Sequence, residues 1–438
     1  MTVRDLGDDD YDVVVVGGGP AGMSAGVRCA NEGVRTLLVE KDTLSANKRA
    51  WIVAVTKKRE KIFSSMDINL SEIVDNSITS VRLSAEYPGE DVLTLKGSVD
   101  LAGHYIHQDK LNKYMINKSP SLAVKERVRV VDCKRKNGGV IVKLSNNEVV
   151  AAKILIDASG ALREPSRMLG RELNMRAMHV GYGYTISGIN PIDAGLDDSH
   201  TFMFRFDFGS NKLYIYWPYP AGERSVDFGV DVYQLYGKRY GLGEKEFPIG
   251  LDERKYCIRT LQPLMEKYKN TYPKAFEGKI EKSYYGIMSD GWETKPYDDN
   301  LIMVGDSAGH SNDLDCEGVA NSLILGGCAG EYAAQAVANE NFGNPYLRGY
   351  YKQIIKKDLF GRGLTSYEAF LMPRFPSLSF GFFEYAKKIL KEDPQRTSEV
   401  GRNFMADGYV SVRDELRYGP SLVINLAKHY FSTKLEGR

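Results

Sequence analysis

Three short segments of the chain combine glycines, a strand end and a carboxylate in the manner of a site that grips a polyanion. The first is GGGPAG, in which Gly17, Gly19 and Gly22 have the spacing GxGxxG. Gly17 permits a tight turn, Gly19 lets the backbone approach a pyrophosphate, and Gly22 lets a helix pack closely on the preceding strand. The helix start then offers free N–H groups and the positive end of its dipole to the phosphates. Glu40 ends the next strand, where a carboxylate can accept hydrogen bonds from a ribose. The second segment is ILIDASG at 154–160, with Asp157. The third is LIMVGDSAG at 301–309, with Asp306. A nicotinamide dinucleotide needs neither of the last two. A flavin does need a further grip, because its ribityl chain and ring extend beyond the adenosine half. Asp306 can bond a ribityl hydroxyl. A helix beginning near Gly318 would aim its N-terminus at the pyrimidine edge of the ring and stabilise the negative charge of the reduced form. The expected cofactor is therefore FAD.

The elements that must hold these residues are legible around them. YDVVVV reads as a buried strand, Pro20–Asn31 as a helix with Gly33 at its C-terminal cap, and VRTLLVE as the next strand. Strand patterns recur at 127–131, 139–144, 149–157, 202–207, 213–217 and 226–232, so the stretch 175–290 is strand-rich. LIMV at 301–304 is one more buried strand, followed by a helical pattern over about 318–338. Beyond 340 the sequence turns helical and aromatic, interrupted by LMPRFPSLS.

Composition narrows the function classes. The 438 residues carry 58 Lys and Arg against 57 Asp and Glu, for a net charge of +1, which argues against a nucleic-acid partner. No apolar run is long enough to span a bilayer. The polar, acidic start MTVRDLGDDDYD does not read as a signal peptide, and the five scattered cysteines form no CxxC pair. A cytoplasmic protein is expected. With 6 His, a His-rich metal site is not.

Taken together, the glycine loop, KRAW at 48–51, YIYWPYP at 214–220 and GDSAG…NDLDCEGV at 305–319 resemble the FAD-dependent geranylgeranyl reductase family, whose fold is that of p-hydroxybenzoate hydroxylase. The resemblance covers about residues 10–340. It implies an α/β fold: a discontinuous Rossmann-like FAD-binding domain (1–175 and 291–340), an inserted antiparallel-sheet substrate domain (176–290) and a helical C-terminal region (341–438). Carried over by position, the implied cofactor contacts are Ala21, Glu40, Lys41, Arg49, Ala50, Gln108, Val130, Asp306, Gly318 and Val319, beside Gly17, Gly19, Gly22 and Asp157. At 108 the family commonly has Arg; Gln108 would meet a phosphate as a neutral donor. The family's Cys-Gly is replaced by Ala50-Trp51, its Pro and Thr by Asp313 and Asp315, and the Gly before Glu317 by Cys316.

The resemblance implies a reductase that saturates isoprenoid double bonds, with Tyr214, Trp217 and Tyr219 walling an apolar tunnel. These aromatics read equally as sheet core. Trp217, Tyr219 and Cys316 are the catalytic candidates. Trp51 fits a place over the flavin face or ordinary packing, and Asp313 and Asp315 a proton store or solvated loop acids. The substrate would be an apolar small molecule or lipid. No second GxGxxG follows a strand, so the electron donor is either a ferredoxin or a nicotinamide nucleotide held without that motif. The Phe-rich stretch 370–383 and the amphipathic stripe of Leu422, Leu426 and Tyr430 read as a peripheral membrane contact or as a packed helical cap. The competing readings are an oxygen-using monooxygenase or halogenase, although Ile215 stands where flavin halogenases have the first Trp of WxWxIP, and a flavoprotein that only transfers electrons.

Overall fold

Four consecutive valines, Val13–Val16, are all buried, the mark of a strand covered on both faces. In the computed structural model they form β1 (Tyr11–Val16). The structure describes residues 11–45, 50–54, 57–86, 93–171, 177–196, 199–207, 212–235, 253–270, 272–290, 295–311 and 318–357. β1 pairs in parallel with β2 (Thr36–Val39) and with β9 (Val149–Asp157). β6 (Ala123–Lys125) extends this sheet beyond β2, and β16 (Leu301–Met303) and β15 (Tyr297–Asp298) extend it beyond β9. β7 (Val130–Lys136) and β8 (Gly139–Leu144) add an antiparallel flap that joins through β8 to β9.

The two faces of this sheet are covered differently. Val13 and Val15 face α1 (Pro20–Asn31), α3 (Gln108–Asn117), α6 (Val319–Ala338) and α7 (Asn344–Lys357), through Met23, Leu111, Leu323 and Leu347 among others. Val14 and Val16 face the flap, through Val130, Cys133, Val142 and Leu144. Alternate residues of one strand thus serve two cores. Gly33 has φ +78°, which suits the C-terminal cap expected after α1.

The helix layer depends on a close seam between α1 and α6. A Cβ added to Gly326 would stand 2.3 Å from the carbonyl oxygen of Ala21, and one added to Gly330 would stand 2.4 Å from that of Ala25. Ser24 Oγ donates across the seam to the Leu323 carbonyl at 2.6 Å. Ala21 and Ala25 meet Gly326 and Gly330 in the same order, so the two helices run parallel.

A second eight-stranded sheet has the order β14-β10-β13-β12-β11-β4-β5-β3. Its members are β3 (Ala50–Ala54), β4 (Asn76–Glu86), β5 (Leu93–His107), β10 (Ala177–Ser187), β11 (Ser199–Asp207), β12 (Lys212–Gly222), β13 (Ser225–Leu235) and β14 (Lys279–Asp290). The sheet is wider than the 176–290 insert expected from the sequence, because β3, β4 and β5 come from residues 50–107. The edge of β11 is closed by β4 in the sheet's one parallel pairing, Ser199 opposite Ser80 onward. One face is sealed by α5 (Glu253–Lys269): Leu261 and Met265 pack on Tyr182, Tyr184, Val226, Phe228 and Val230. The remaining helices are α2 (Lys57–Ser65) and α4 (Glu164–Met168). No helix among the described residues is long and apolar enough to cross a membrane. The Phe-rich 370–383 stretch and the stripe at 422–430 lie outside the described residues.

The second sheet is fastened to the first part of the fold at the start of α3. Asp75 accepts from the His107 N–H at 3.0 Å, from His107 Nδ1 at 2.7 Å and from Lys110 Nζ. Burial pushes its carboxyl up, but the hydrogen bonds from Lys110 and His107 outweigh this and hold it below the ordinary aspartate range. A depressed folded pKa gives stability that is fully present above the unfolded value and is lost as pH falls through the folded one. Asp75→Asn should therefore cost about 2 kcal/mol at neutral pH, the scale of hydrogen bonds to a charged group. Its difference from the parent should shrink once pH drops below about 4, near the ordinary aspartate value. Denaturant melts at several pH values measure this.

Candidate active site

The Gly-rich loop is built so that two glycines serve the fold and the third serves a ligand. Gly17 has φ +109°, and a Cβ there would stand 2.2 Å from the Ala158 carbonyl oxygen. A Cβ on Gly22 would stand 1.8 Å from the Gly17 carbonyl oxygen. A Cβ on Gly19 would meet nothing within 4 Å. Gly19 is the N-cap of α1, with no side-chain cap and no acid in the first turn, and Pro20 follows it. The helix start thus presents its positive end to open space bordered by backbone. Glu40 closes the loop from below. Its Oε2 accepts from the Gly18 N–H at 2.6 Å and its Oε1 from the Asp42 N–H at 2.8 Å. Each oxygen keeps a second lone pair, enough for a ribose hydroxyl.

A second grip lies at the start of α6. Its N-cap is Gly318, again with no side-chain cap and no acid in the first turn. The loop after β16 turns through Gly305 at φ +67°, where a Cβ would stand 2.8 Å from Ala21 Cβ. This puts Asp306 beside the helix start: an ideal Cβ on Gly318 would be 3.7 Å from Asp306 Oδ1. Ser289 of β14 donates to the Asp306 carbonyl, and Ser311 Oγ donates to the Ser289 carbonyl at 2.8 Å, so the second sheet holds this loop. Ala21 is the second residue of α1 and Gly326, its neighbour, the eighth of α6. The six-residue difference carries the start of α6 about 9 Å past that of α1, at about 1.5 Å per residue.

These features fit FAD. The space over Gly19 suits the pyrophosphate, Glu40 the adenosine ribose, and Asp306 with the α6 terminus the flavin half. Gln108 adds to the fit. It is buried in the first turn of α3, and its Oε1 has no hydrogen-bond partner among the described residues; that oxygen is an acceptor, so it suits a hydroxyl or N–H of the ligand rather than the phosphate expected from the sequence. The same side of α3 reaches the loop, because Asn112 Nδ2 donates to the carbonyl of Leu44, which packs against Gly18.

At two expected contact positions the side chain is engaged within the protein. Asp157 is fully buried, and its oxygens are taken by its own turn. Oδ1 accepts from Ser159 N–H at 3.0 Å and Oγ at 2.6 Å, while Oδ2 accepts from Ser166 N–H at 3.0 Å and Oγ. It fastens the loops rather than touching a ligand with its side chain. The Val130 side chain, on the flap, lies in the core between flap and sheet, which leaves its backbone to face a cofactor. Lys41 is exposed and ion-paired with Asp42 at 3.3 Å. Ala50 pairs with His107 at the edge of the second sheet, and Val319 is partly buried at the start of α6. Arg49, Asp313, Asp315 and Cys316 lie outside the described residues, as do the side chains of Trp51, Tyr214 and Tyr219.

Two buried side chains near the site were not anticipated. Arg59 of α2 is almost fully buried and donates to Asn321 Oδ1 at 3.0 Å in the first turn of α6. His310 is fully buried, and its Nδ1 accepts from the Gly305 N–H at 3.3 Å. Burial, and then the positive charge of Arg163, push it down to about 3, so the imidazole is neutral. The sequence signal for His310 was its place directly after GDSAG. Arg59 had none, since a Lys- and Arg-rich helix start reads as surface. Among the cysteines, Cys29 and Cys133 are buried and pushed up to about 12 by that burial, so neither is a reactive thiolate.

The aromatic strand is β12. Trp217 sits opposite Gly229 of β13, and a Cβ on Gly229 would stand 2.0 Å from Trp217 Cζ2, so the indole lies against the sheet there. Its Nε1 donates to Asp231 Oδ2 at 3.0 Å. Tyr219 pairs with Asp227 at the same parity as Trp217, but Tyr214 pairs with Val232 at the opposite parity. The expected wall of three aromatics therefore has two members at most from this strand, because a strand alternates and 214 and 217 differ by an odd number.

A family profile described as FAD dependent oxidoreductase matches residues 12–161. The digeranylgeranylglycerophospholipid reductase of Methanococcus vannielii is 28% identical over 354 residues, 78% of this chain and 82% of that protein. A crystal structure of a geranylgeranyl bacteriochlorophyll reductase-like protein from Thermoplasma acidophilum superimposes with a TM-score of 0.64 at 19% identity, covering 96% of this chain and 99% of that one. The halogenase PltM, solved in complex with FAD, gives 0.58 at 13% identity, with 91% of this chain and 87% of that one covered. The solved structures share the fold. The expected resemblance, fold class and FAD cofactor are borne out.

Two substitutions separate folding from cofactor binding. Gly19→Val should fold like the parent, since nothing of the protein stands in its way, yet purify without FAD; absorbance at the flavin bands against protein content reads this. Asp306→Asn should keep its melting behaviour and lose about tenfold or more in FAD affinity, the scale of a charged hydrogen bond. Asp157→Asn should instead lower stability.

Proposed function

We propose that this chain, an FAD-dependent oxidoreductase related to the geranylgeranyl reductases, saturates carbon–carbon double bonds of an isoprenoid lipid or lipid precursor. The observation that carries the reading is the extent of the likeness. Similarity to a reductase named for a digeranylgeranyl lipid runs over 78% of the chain, well past the nucleotide-binding segment at 12–161. Reduced FAD supplies the hydride that such a saturation needs.

The chain's own residues do the rest. The Gly17–Gly22 loop and the start of α1 hold the pyrophosphate, and Glu40 the ribose. Asp306 fixes the ribityl chain, and the start of α6 favours negative charge at the pyrimidine edge. An isolated alkene offers no carbonyl to polarise, so placement dominates its reduction. Trp217 and the aromatic strand supply an apolar wall, on which a prenyl chain gains about 25 cal/mol per Å² of buried apolar surface. The other alkene carbon takes a single proton from water or a protein group. Electrons reach the flavin from a ferredoxin or a nicotinamide nucleotide.

The test is anaerobic. With dithionite as reductant and a geranylgeranyl lipid as substrate, mass spectrometry should show one H2 gained per double bond. Trp217→Ala should lower turnover at least tenfold, the scale of a lost aromatic contact of roughly 1.4 kcal/mol or more, with FAD still bound. No mass gain, together with oxygen-dependent turnover of an aromatic compound, would establish the monooxygenase reading instead.

A further inference from the structure

The face of the second sheet turned away from α5 holds a buried carboxylate that has no part in the cofactor grips described above. Asp231 of β13 is 6% exposed. It lies at the same parity as Gly229, opposite to that of Phe228 and Val230, which pack toward α5. Two glycines make room for it and for its partner. A Cβ on Gly181 of β10, the residue paired with Asp231, would stand 2.0 Å from Asp231 Oδ1. Gly229, paired with Trp217, clears the space that the indole ring fills. The ring leans across from β12, and its Nε1 meets Asp231 Oδ2 at 3.0 Å. Three adjacent strands thus contribute Gly181, Gly229, Asp231 and Trp217 to one arrangement.

A buried carboxylate carries a large desolvation cost unless its hydrogen bonds offset it. Asparagine would satisfy the same indole N–H with less desolvation. A charged acceptor gives a shorter and stronger bond, and so a better-fixed ring.

We propose that Asp231 is a positioning residue for the substrate: its carboxylate, seated over Gly181, locks the Trp217 indole flat on Gly229 and so fixes the surface against which an apolar prenyl chain lies. The inference rests on the proposed isoprenoid substrate, and it adds the group that sets the angle of the wall. One face of the indole is spent on the sheet. The other looks away from it, and a ring free to rotate would present an edge and a polar N–H to the chain instead.

The test follows the ring and the substrate separately. The chain has 3 Trp, so selective 15N labelling gives a simple set of indole N–H resonances, with that of Trp217 assigned by its loss in Trp217→Phe. Asp231→Ala and Gly181→Ala should both move the Trp217 resonance and speed its hydrogen exchange. Asp231→Ala should raise KM for a geranylgeranyl lipid about tenfold while kcat changes far less, and Asp231→Asn, which keeps an acceptor oxygen, should stay within about threefold of the parent. FAD content should be equal in all. Where Asp231→Ala does not fold, Gly181→Ala and Asp231→Asn carry the comparison. An unmoved resonance in Gly181→Ala, or a moved one with KM unchanged, overturns the proposal, and so does a parallel loss of kcat and FAD. A parent protein that saturates no prenyl lipid refutes the proposed function and the substrate half of this inference, while the resonances still decide whether Asp231 holds the ring.

Discussion

The closeness of α1 and α6 is the constraint on which the rest of the structure depends. Gly326 and Gly330 let α6 lie against the backbone of Ala21 and Ala25, where even a methyl group would collide with a carbonyl oxygen. Two parallel helices at this distance point their N-termini the same way, one about 9 Å beyond the other. Each terminus is capped by a glycine and free of acids in its first turn. A dinucleotide with charge at two separated places, pyrophosphate and reduced ring, would meet a positive helix end at each. Wider packing would tilt or shift α6 and separate the two grips, with no change in any residue that touches the ligand.

The loop between β16 and α6 is the joint through which this helix pair governs the second sheet. Ser307 Oγ and Val304 N–H both donate to the Asp157 carbonyl oxygen, which ties the loop to the end of β9. Ser289 and Ser311 tie it to β14. At the other edge of the same sheet, Val53 of β3 joins the core of α1, α3 and α6. An eight-stranded sheet held at both edges has little freedom to rotate, and Trp217 near its middle inherits that fixity.

The nucleotide-binding half was legible because its signals are local. The run of valines, Pro20 at a helix start, Gly33 at its end and Glu40 closing β2 each follow from a few neighbouring residues. The helix at Val319–Ala338 stood out for the same reason. What escaped was non-local. β3, β4 and β5 read as part of the nucleotide domain because nothing in residues 50–107 announces a partner more than a hundred positions away. Asp157 looked like a ligand because it ends a strand beside the glycine loop; only Ser159 and Ser166 closing on it reveal a fastener. Tyr214 is a different kind of miss. Its parity against Trp217 could be counted in the sequence, and the lone strand period would have divided the aromatic wall.

The parallel pairing of β4 with β11 bears on how the chain reaches this state. Ser80 must find Ser199, and β9, the central partner of β1 in the nucleotide sheet, lies between them in the sequence, while β15 and β16 of that sheet follow β11. The two sheets are therefore interleaved along the chain rather than built one after the other. During synthesis β4 and β5 leave the ribosome long before β11 exists, and β4 waits with an open edge. Pairings of such sequence separation form late and slowly. The segment from β10 to β14 is consequently no transplantable module: moved to another protein it would take its own exposed edge with it, and the chain left behind would keep β4 unpaired.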